Sequence, residues 1–294
     1  MLRLTGPIVI IFALVACSPS SSTPTTISSA PSSTTVPTTS TSQADVDVDV
    51  CVQGDLPFGG EGLIAAVGED DGDATQIAQI RWDGAGTCER ITIAFSNDNG
   101  APATTLGPTA VSVLEFSGVV RITLPDEAVA TAVADTLFEG SLIERAYVVR
   151  SLSDGLTIDL RTAEGVTVEA RAFTTTSPST LVVDVMHGGN DSTSAGAALS
   201  QTAVVVTPVP GPNLYPLTVE GYVTPGLRSI HLILGVEDSD TLDLAVALEG
   251  YTDAWQGFRT DLPDGPSGHA TLFVGVVDTN GRPLDGASVS LDMP

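Results

Sequence analysis

The sequence predicts an all-β protein in which two β-sandwich domains follow a signal peptide and a disordered Ser/Thr/Pro-rich tether. Glycine supplies 29 of the 294 residues and only 16% of residues are charged, a composition that favours short strands joined by turns. Several segments alternate apolar and polar residues with period two, which is the pattern of half-buried antiparallel strands. Clusters of Asn, Asp, Ser and Gly separate these segments and mark turns.

The charge of the chain excludes several classes of function. Asp and Glu number 36, the 11 basic residues are all Arg, and the formal net charge is −25. A chain without lysine has no Schiff-base chemistry and no phosphate-gripping Lys of a P-loop. The acidic charge also disfavours nucleic acid and anionic membrane surfaces, because binding to them depends on clustered positive charge. A cation, a neutral glycan or a basic protein stays open as a partner.

Residues 1–16 are predicted to be a lipoprotein signal peptide. Arg3 precedes an apolar run over residues 7–16, which is too short for a membrane span of about 20 residues but typical of a signal sequence. The segment closes with Leu-Val-Ala-Cys at residues 14–17, which resembles the lipobox of bacterial lipoproteins. The resemblance implies cleavage before Cys17, attachment of diacylglycerol to its thiol, and a location at the extracytoplasmic face of the cell membrane.

Residues 17–44 are predicted to form a disordered tether. All but three of residues 18–42 are Ser, Thr or Pro, so the segment lacks the side chains needed to build a core. We expect the tether to hold a folded body away from the membrane, and glycosylation of its hydroxyls stays open. Residues 45–50 alternate Asp and Val, which favours a solvated strand over a Ca²⁺-collecting tract because alternate strand carboxylates lie in a line.

Two cysteines are left once Cys17 is assigned to the lipid anchor. Cys51 and Cys88 lie far apart in the chain, and an exported protein meets an oxidising compartment. A structural disulfide between them is therefore favoured. A redox-active pair is the alternative, although such pairs usually form a Cys-x-x-Cys motif beside a helix N-terminus.

Residues 45–188 are predicted to form the first domain. Residues 90–95 and 156–161 alternate apolar and polar positions and predict half-buried strands. Residues 180–185 form a more continuous apolar run, as expected of a strand covered on both faces. Residues 125–137 begin with Pro and acidic residues and continue with alanine-rich sequence, so a helix and its absence are equally open there.

The strand motifs of this domain resemble the AMIN-like domain of exported actinobacterial lipoproteins. They are Arg-Ile-Thr-Ile-Ala-Phe at residues 90–95, Gly-Leu-Thr-Ile-Asp-Leu at 155–160, and a closing strand at 177–185 with Thr180 where the family tends to have Arg. The resemblance implies a small β-sandwich similar to the localisation modules of cell-wall amidases and secretion pores, which attach proteins to peptidoglycan or envelope partners. It brings no catalytic residue. Asp184 is either a binding carboxylate or, as we favour, an acid satisfied by neighbouring backbone donors.

Residues 189–200 are rich in glycine and small polar residues and predict a linker. Residues 201–294 then have the length and rhythm of an immunoglobulin-like β-sandwich. Five strands are expected there, at residues 217–223, 230–234, 242–248, 270–277 and 287–291. Residues 207–211, 215–221 and 255–258 resemble the immunoglobulin-like domain of bacterial spore-germination lipoproteins. That resemblance implies an adhesion or assembly module without an active site.

The sequence contains no catalytic motif, because His-Glu-x-x-His, Gly-x-Ser-x-Gly, a Walker loop and Cys-x-x-Cys are all missing. We therefore expect no catalytic residue, no metal site and no cofactor. The three histidines, His187, His231 and His269, fall in different sequence contexts and would act together only if the fold brought them close.

Two further features have both a structural and a functional interpretation. Residues 69–73 join four carboxylates to a glycine, which favours a solvated acidic turn over a cation site because the bidentate Glu of an EF-hand loop is missing. Trp255 and Phe258 have the rings to stack on sugars, but in so small a sandwich we favour both as core residues.

The sequence therefore predicts a lipid-anchored envelope protein that is not an enzyme and that binds peptidoglycan or an envelope protein. Two other functions stay open. One is an accessory subunit or enzyme of peptidoglycan hydrolysis, which the kinship of AMIN-type modules with amidases suggests. The other is a surface adhesion stalk stiffened by Ca²⁺.

Overall fold

The computed structural model describes residue 51 and residues 56–85, 87–151, 155–176, 178–189, 196–236 and 241–294. The expected signal peptide, Cys17 and the expected tether lie outside the described residues, as do residues 190–195 of the expected linker. By their contacts, the described residues belong to one compact unit, Val46–Pro294.

The predicted all-β class is confirmed, since the described residues form twenty strands, one turn of 3-10 helix at Glu115–Ser117 and no α-helix. The strands up to residue 189 are β1 (Gly62–Val67), β2 (Gln76–Ala85), β3 (Cys88–Ser96), β4 (Thr109–Leu114), β5 (Val119–Thr123), β6 (Ala130–Thr131), β7 (Asp135–Leu137), β8 (Ile143–Ser151), β9 (Gly155–Thr162), β10 (Val168–Thr175) and β11 (Thr180–His187). Those that follow are β12 (Ala198–Leu199), β13 (Ala203–Thr207), β14 (Gly211–Pro212), β15 (Leu217–Val223), β16 (Ser229–Val236), β17 (Thr241–Ala247), β18 (Trp255–Leu262), β19 (Gly268–Val277) and β20 (Pro283–Met293).

The described strands form three sheets. Two of them have five strands each, in the orders β10-β11-β3-β2-β6 and β14-β20-β19-β16-β17. The third runs in the order β1-β4-β5-β9-β8-β18-β15-β13-β12, with β7 paired to β8 as its tenth strand. Each end of this long sheet packs on one of the five-stranded sheets around a hydrophobic core. We call residues 51–189 the N lobe and residues 196–294 the C lobe.

The alternating segments fold into the strands that the sequence predicts. Residues 90–95 lie in β3, where Ile91, Ile93 and Phe95 are buried in the N-lobe core. The apolar run at residues 180–185 lies in β11 and is buried on both faces from residue 181 onward. A chain that alternates in this way buries one face against the opposite sheet, and a continuous apolar run allows both faces to be covered.

The polar face of β9 differs from the prediction of a half-buried strand. Leu156, Ile158 and Leu160 point into the N-lobe core as expected, but Thr157 and Asp159 on the other face are buried as well. On this face Arg121 donates to Asp159 and also reaches Glu220 of β15 in the C lobe, and Tyr222 of β15 lies close to Asp159.

Residues 125–137 form no helix. A turn closes after Pro125, where the backbone N–H of Ala128 donates to the Pro125 carbonyl at 3.0 Å, and the chain continues as β6 and β7. β6 pairs in parallel with β2, and β7 pairs antiparallel with β8. Pairing of β6 with β2 and of β7 with β8 satisfies backbone hydrogen bonds here. This pairing outweighs the weak helix preference of the alanines.

All five strands expected in residues 201–294 are present, as β15, β16, β17, β19 and β20. The alternation pattern alone does not predict β13 or β18. β13 is a short apolar run, and β18 carries a glycine at residue 257 and mixed polar residues after it. Both strands belong to the ten-stranded sheet, and β18 lies between β8 and β15.

The long sheet continues from one lobe to the other through β8 and β18. These strands pair in parallel, with Val149 opposite Trp255 and Arg150 opposite Gln256. Each lobe keeps a core of its own, and a third apolar cluster forms where the two meet. Its buried members come from both lobes: Tyr147, Val149, Ala197, Val204, Val206, Tyr222 and Trp255.

Candidate binding groove at the junction of the lobes

Three buried aromatic rings join the lobes beneath the candidate site. Tyr147 of β8 has its ring centroid 5.0 Å from that of Tyr222 on β15, and it meets Trp255 of β18 edge-on at 4.8 Å. The indole N–H of Trp255 donates to Asp135 Oδ2 at 2.8 Å. The guanidinium of Arg145 lies 4.8 Å from the centroid of the Tyr147 ring. Such edge-to-face and cation–π contacts favour one geometry. The cluster therefore holds β8, β15 and β18 in fixed positions relative to one another beneath the candidate site.

A row of alternating charges leads from this interior to the surface. Arg121 of β5 donates to Asp159 on β9 from Nε to Oδ1 and from Nη2 to Oδ2, both at 2.8 Å. Its Nη1 also donates to Glu220 Oε1 on β15 of the other lobe. Arg259 of β18 donates from Nη1 to Glu220 Oε2 at 3.4 Å. Asp159 is fully buried, whereas the Arg259 side chain is 65% exposed, so the row ends in a guanidinium that faces solvent.

The phenol of Tyr222 lies in the same interior. Its hydroxyl is buried and has no hydrogen-bond partner among the described residues. Burial, and next the nearby Asp159 carboxylate, raises the pKa of Tyr222 well above its usual range. Burial also raises the pKa of the Asp159 carboxyl, against the opposing effect of the Arg121 guanidinium. The phenol therefore stays protonated and neutral.

Two adjoining cavities open beside β18, and we call them together the junction groove. The first is lined by β5, β8, β9, β15 and β18, and the second by β8, β17, the loop after β17, and β18. The first, the Glu220 cavity, has a volume of about 220 Å³, and its polar side chains include Arg121, Thr123, Thr157, Glu220 and Arg259. The second, the Tyr251 cavity, has a volume of about 210 Å³, and its polar side chains include Arg150, Glu249, Tyr251 and Arg259. The wall that the two cavities share is made by Ser151, Gly257, Phe258 and Arg259.

Glycine at position 257 allows β18 to pack closely on β8 in this shared wall. A Cβ atom built on Gly257 would lie 3.2 Å from Ser151 Cβ and 3.2 Å from Val149 Cγ1. These distances are shorter than ordinary van der Waals contacts between carbon atoms. A side chain at this position would therefore press on β8.

Arg150 in the Tyr251 cavity is also paired with a carboxylate. Arg150 Nη2 donates to Asp253 Oδ2 at 2.7 Å, and its guanidinium lies 5.2 Å from the centroid of the Tyr251 ring. The backbone N–H of Tyr251 donates to Gln256 Oε1 at 3.0 Å, which fixes the loop that carries the ring. The groove thus presents oriented donors and acceptors on a sheet framework.

Two other concavities have a different lining. One of about 350 Å³ lies between the lobes beside the exposed Phe116 and Asn213, and its charged lining residue is Glu61. The other, of about 560 Å³, lies between the edges of β1 and β10, where the charged lining residue is Arg171. Neither brings guanidinium and carboxylate groups to one wall, as the junction groove does.

The disulfide expected from the cysteines is present. Cys51 and Cys88 are bonded, with their Cα atoms 6.1 Å apart. The bond ties the segment before β1 to the first residue of β3, and Arg171 Nη2 donates to the Cys51 carbonyl at 2.5 Å. It contributes to the N lobe and does not line the junction groove.

Asp184 is held by side chains, which corrects the expectation of backbone donors. Arg90 donates to its Oδ1 from Nε at 2.6 Å and to its Oδ2 from Nη2 at 2.9 Å. Arg171 donates to Oδ2 from Nε and from Nη2, both at 3.0 Å. The register explains this, because Asp184 on β11 stands opposite Arg90 on β3 and opposite Arg171 on β10. The Asp184 side chain has no exposed surface, so its carboxylate pairs with the two arginines inside the N lobe and is not available to a ligand.

Residues 69–73 form the acidic turn that we favour over a cation site. Residues 69–71 are exposed, and Asp73 Oδ1 accepts from the backbone N–H groups of Thr104 and Thr105, both at 2.8 Å. The hydrogen bond from the Thr105 backbone, more than any other contact, lowers the pKa of Asp73.

The three histidines lie apart in the fold. His231 Nδ1 is 2.7 Å from Asp243 Oδ1, and His269 Nδ1 is 3.0 Å from Asp292 Oδ1, each across neighbouring strands. His187 ends β11 in the N lobe. Over the part of the chain that the structure describes, no group of three or more His, Cys, Asp or Glu side chains is placed to hold a metal ion.

Trp255 and Phe258 both belong to the interior, as favoured from the sequence. They are 2% and 6% exposed, respectively. Trp255 lies in the cluster between the lobes and Phe258 in the C-lobe core. With so little exposed surface, neither ring offers a face on which a sugar could stack.

The sequence analysis did not single out Arg121, Glu220 or Arg259. Each is a charged residue within a strand, and such residues are common on solvated sheet faces. Their meeting depends on the pairing of β8 with β18, which joins segments more than 100 positions apart. Long-range strand pairing of this kind leaves no local signal in the sequence.

The fold and the groove together define the class of this protein. It is a two-lobed all-β protein with a groove of mixed charge at the place where the two lobes share a sheet. No protein-family model, no curated protein and no solved structure matches the chain. Within the described ranges, none of the elements is a helix long and apolar enough to cross a membrane.

Proposed function

We propose that this protein is a lipid-anchored, non-catalytic lipoprotein of the bacterial cell envelope whose two-lobed body binds cell-wall glycan or an envelope protein. The anchor rests on the lipobox-like residues 14–17, and the tether rests on the Ser/Thr/Pro composition of residues 18–42. The AMIN-like motifs at residues 90–95, 155–160 and 177–185 support a role in attachment to peptidoglycan.

The junction groove is the observation that carries the binding role. Ligand sites occur preferentially where domains meet, and they work best when rigid elements hold their polar groups in place. Here strands from both lobes build the walls. Glu220 is held in position because guanidinium groups contact both of its oxygens. A groove of this kind orients a ligand without moving a proton.

The anchor is tested by the Cys17→Ser variant. A body with net charge near −25 has little attraction to an anionic leaflet, so acylation of Cys17 would have to supply its membrane affinity. We expect the wild type in the membrane fraction after a high-salt wash and the variant in the soluble fraction. A variant that stays with the washed membranes contradicts lipid anchoring.

The binding role is tested with a soluble protein of residues 43–294, which includes the whole compact unit. It is sedimented with insoluble peptidoglycan across a salt series, and released muropeptides are measured in parallel. We expect retention that changes little with salt and no release of muropeptides. Failure to sediment contradicts wall binding, and released muropeptides favour the peptidoglycan-hydrolase alternative.

A further inference from the structure

We infer that the junction groove is a two-subsite carbohydrate site that takes two linked sugar units of a neutral, hydroxyl-rich glycan. This inference rests on the proposed function and assigns its ligand class and its place. It is supported by the size of the two cavities, the balance of their charges and the residues that line both of them.

The size of the groove fits two small rings rather than one large ligand. The cavities measure about 220 Å³ and about 210 Å³, each below the roughly 300–1,000 Å³ that is usual for small-molecule pockets. They adjoin along a wall formed by four shared residues. An elongated ligand of two similar units, connected across that wall, matches this shape.

The polar groups of the groove suit hydroxyls, which both donate and accept. The Glu220 side chain is 23% exposed and offers its carboxylate oxygens as acceptors. The Arg259 side chain beside it is 65% exposed. Arg259 makes one hydrogen bond, at 3.4 Å, among the described contacts, so most of its five N–H donors face solvent. A pair of neighbouring sugar hydroxyls can therefore donate to Glu220 and accept from Arg259 at once.

The apolar parts of the lining suit the C–H faces of sugar rings. Val149 lines the Glu220 cavity, and Gly257 and Phe258 line both cavities. Gly257 packs closely on β8, where a Cβ atom would lie 3.2 Å from Ser151 Cβ and from Val149 Cγ1, so the strand backbone itself forms this part of the lining. Tyr251 closes the far end of the second cavity.

The charges of the groove argue against the two main competitors. Arg121 and Arg150 are each paired with a carboxylate, so a polyanion would have to displace those partners, and it would also have to approach a chain of net charge −25. An apolar ligand would bury these charged groups without replacing their hydrogen bonds to water. A neutral polyol avoids both costs.

The inference is tested by calorimetric titration of the 43–294 protein with chitobiose, a neutral disaccharide, and with N-acetylglucosamine, its single unit. We expect chitobiose to bind about tenfold more tightly than the monosaccharide. Arg259→Ala, which removes a side chain facing both cavities, should weaken chitobiose binding at least about tenfold. Tyr251→Ala, which opens only the second cavity, should reduce the preference for the disaccharide to about threefold or less.

Arg81→Ala is the matched control. Arg81 is exposed on β2 of the N lobe, so its loss makes the same change in charge away from the groove. Chitobiose affinity should be unchanged in this variant. Equal weakening by Arg81→Ala and Arg259→Ala would show a general charge effect and overturn the inference.

Parallel sedimentation with insoluble peptidoglycan separates this inference from the proposed function. Retention of the wild type that Arg259→Ala abolishes supports both. Equal retention of wild type and Arg259→Ala, with no chitobiose binding, overturns the groove as the glycan site and leaves wall binding standing. Chitobiose binding at the groove without retention on peptidoglycan supports the carbohydrate site. It contradicts the proposal that the cell wall supplies the glycan ligand. Binding of an envelope protein that Arg259→Ala abolishes, with no affinity for either sugar, overturns the carbohydrate site.

Discussion

Arg121 and Glu220 lie 99 positions apart in the chain, yet the guanidinium of the first donates to the carboxylate of the second. The contact joins β5 of the N lobe to β15 of the C lobe. Arg121 at the same time holds both oxygens of the buried Asp159. One side chain thus pairs a charge inside the N lobe, reaches across the junction and lines the candidate groove.

Replacement of Arg121 by alanine should destabilise the whole body. Asp159 is fully buried, and loss of its partner leaves an uncompensated charge in the interior, which costs about 3–5 kcal/mol. Urea unfolding of the 43–294 protein measures the change in free energy. Arg81→Ala, at an exposed position, should stay within about 0.5 kcal/mol of the wild type. Equal stabilities of the two variants would contradict the role given to Arg121.

Removal of the Tyr222 hydroxyl should leave the protein as stable as the wild type or make it more stable. This hydroxyl is buried without a partner among the described residues, so Tyr222→Phe removes a desolvated polar atom and no hydrogen bond. Tyr215→Phe is the matched control, because the Tyr215 hydroxyl donates to the Pro266 carbonyl at 2.9 Å, and its loss should cost about 1 kcal/mol. Thermal and urea unfolding compare the two variants. A larger loss for Tyr222→Phe than for Tyr215→Phe would mean that the buried phenol has a partner after all.

Sequence reasoning predicted eight of the twenty described strands and the disulfide. The alternation in residues 90–95 determines which side of β3 is buried, because a strand turns successive side chains to opposite faces. Residues 125–137 show the limit of such reasoning. Their composition is compatible with a helix as well as with its absence. The segment forms strands because β2 and β8 have edges with which it can pair.

The contacts that build the groove could not be predicted in the same way. Arg121 and Asp159 stand opposite each other in neighbouring strands, but a sequence does not say which strands are neighbours. Asp184 illustrates the same point, since the prediction of backbone donors was wrong only because two arginines occupy the facing positions. Pairing between distant strands decides both cases.

Acid should weaken the N lobe through Glu89. Its buried carboxylate accepts from the backbone N–H groups of Ser141, Leu142 and Ile143, and from Trp82 Nε1 at 3.0 Å. Burial alone would raise the pKa of Glu89, but these donors outweigh it and hold the pKa below its ordinary value of 4.5. The ionised form therefore stabilises the fold above about pH 4.5, and this contribution is lost as the pH falls through the lowered pKa.

Glu89→Gln tests this pH dependence. The variant should lose about 1–3 kcal/mol near neutral pH, and its difference from the wild type should shrink as the pH is lowered from 5 to 3. Glu69→Gln, at an exposed position, serves as the control and should follow the wild type throughout. A Glu89→Gln difference that stays constant over this range would contradict the assignment.

Loss of the disulfide should lower stability without unfolding the protein. The bond closes a loop of 37 positions between Cys51 and Cys88, and a loop of that length restricts the unfolded chain by about 3–4 kcal/mol. The double variant Cys51→Ser/Cys88→Ser should show this loss in urea unfolding. Treatment with a reductant should shift the wild type to the same midpoint and leave the double variant unchanged. Free thiols at both positions in the exported protein would contradict the bond.

Backbone amide chemical shifts of the isotope-labelled 43–294 protein, followed by NMR during titration with chitobiose, test the central claim most directly. The account predicts that the largest shifts fall on Tyr251, Gly257 and Arg259, with Glu220 changing at the same ligand concentration. Shifts centred on the cavity beside Phe116 and Asn213, or no shifts at saturating sugar, would contradict a carbohydrate site at the junction of the lobes.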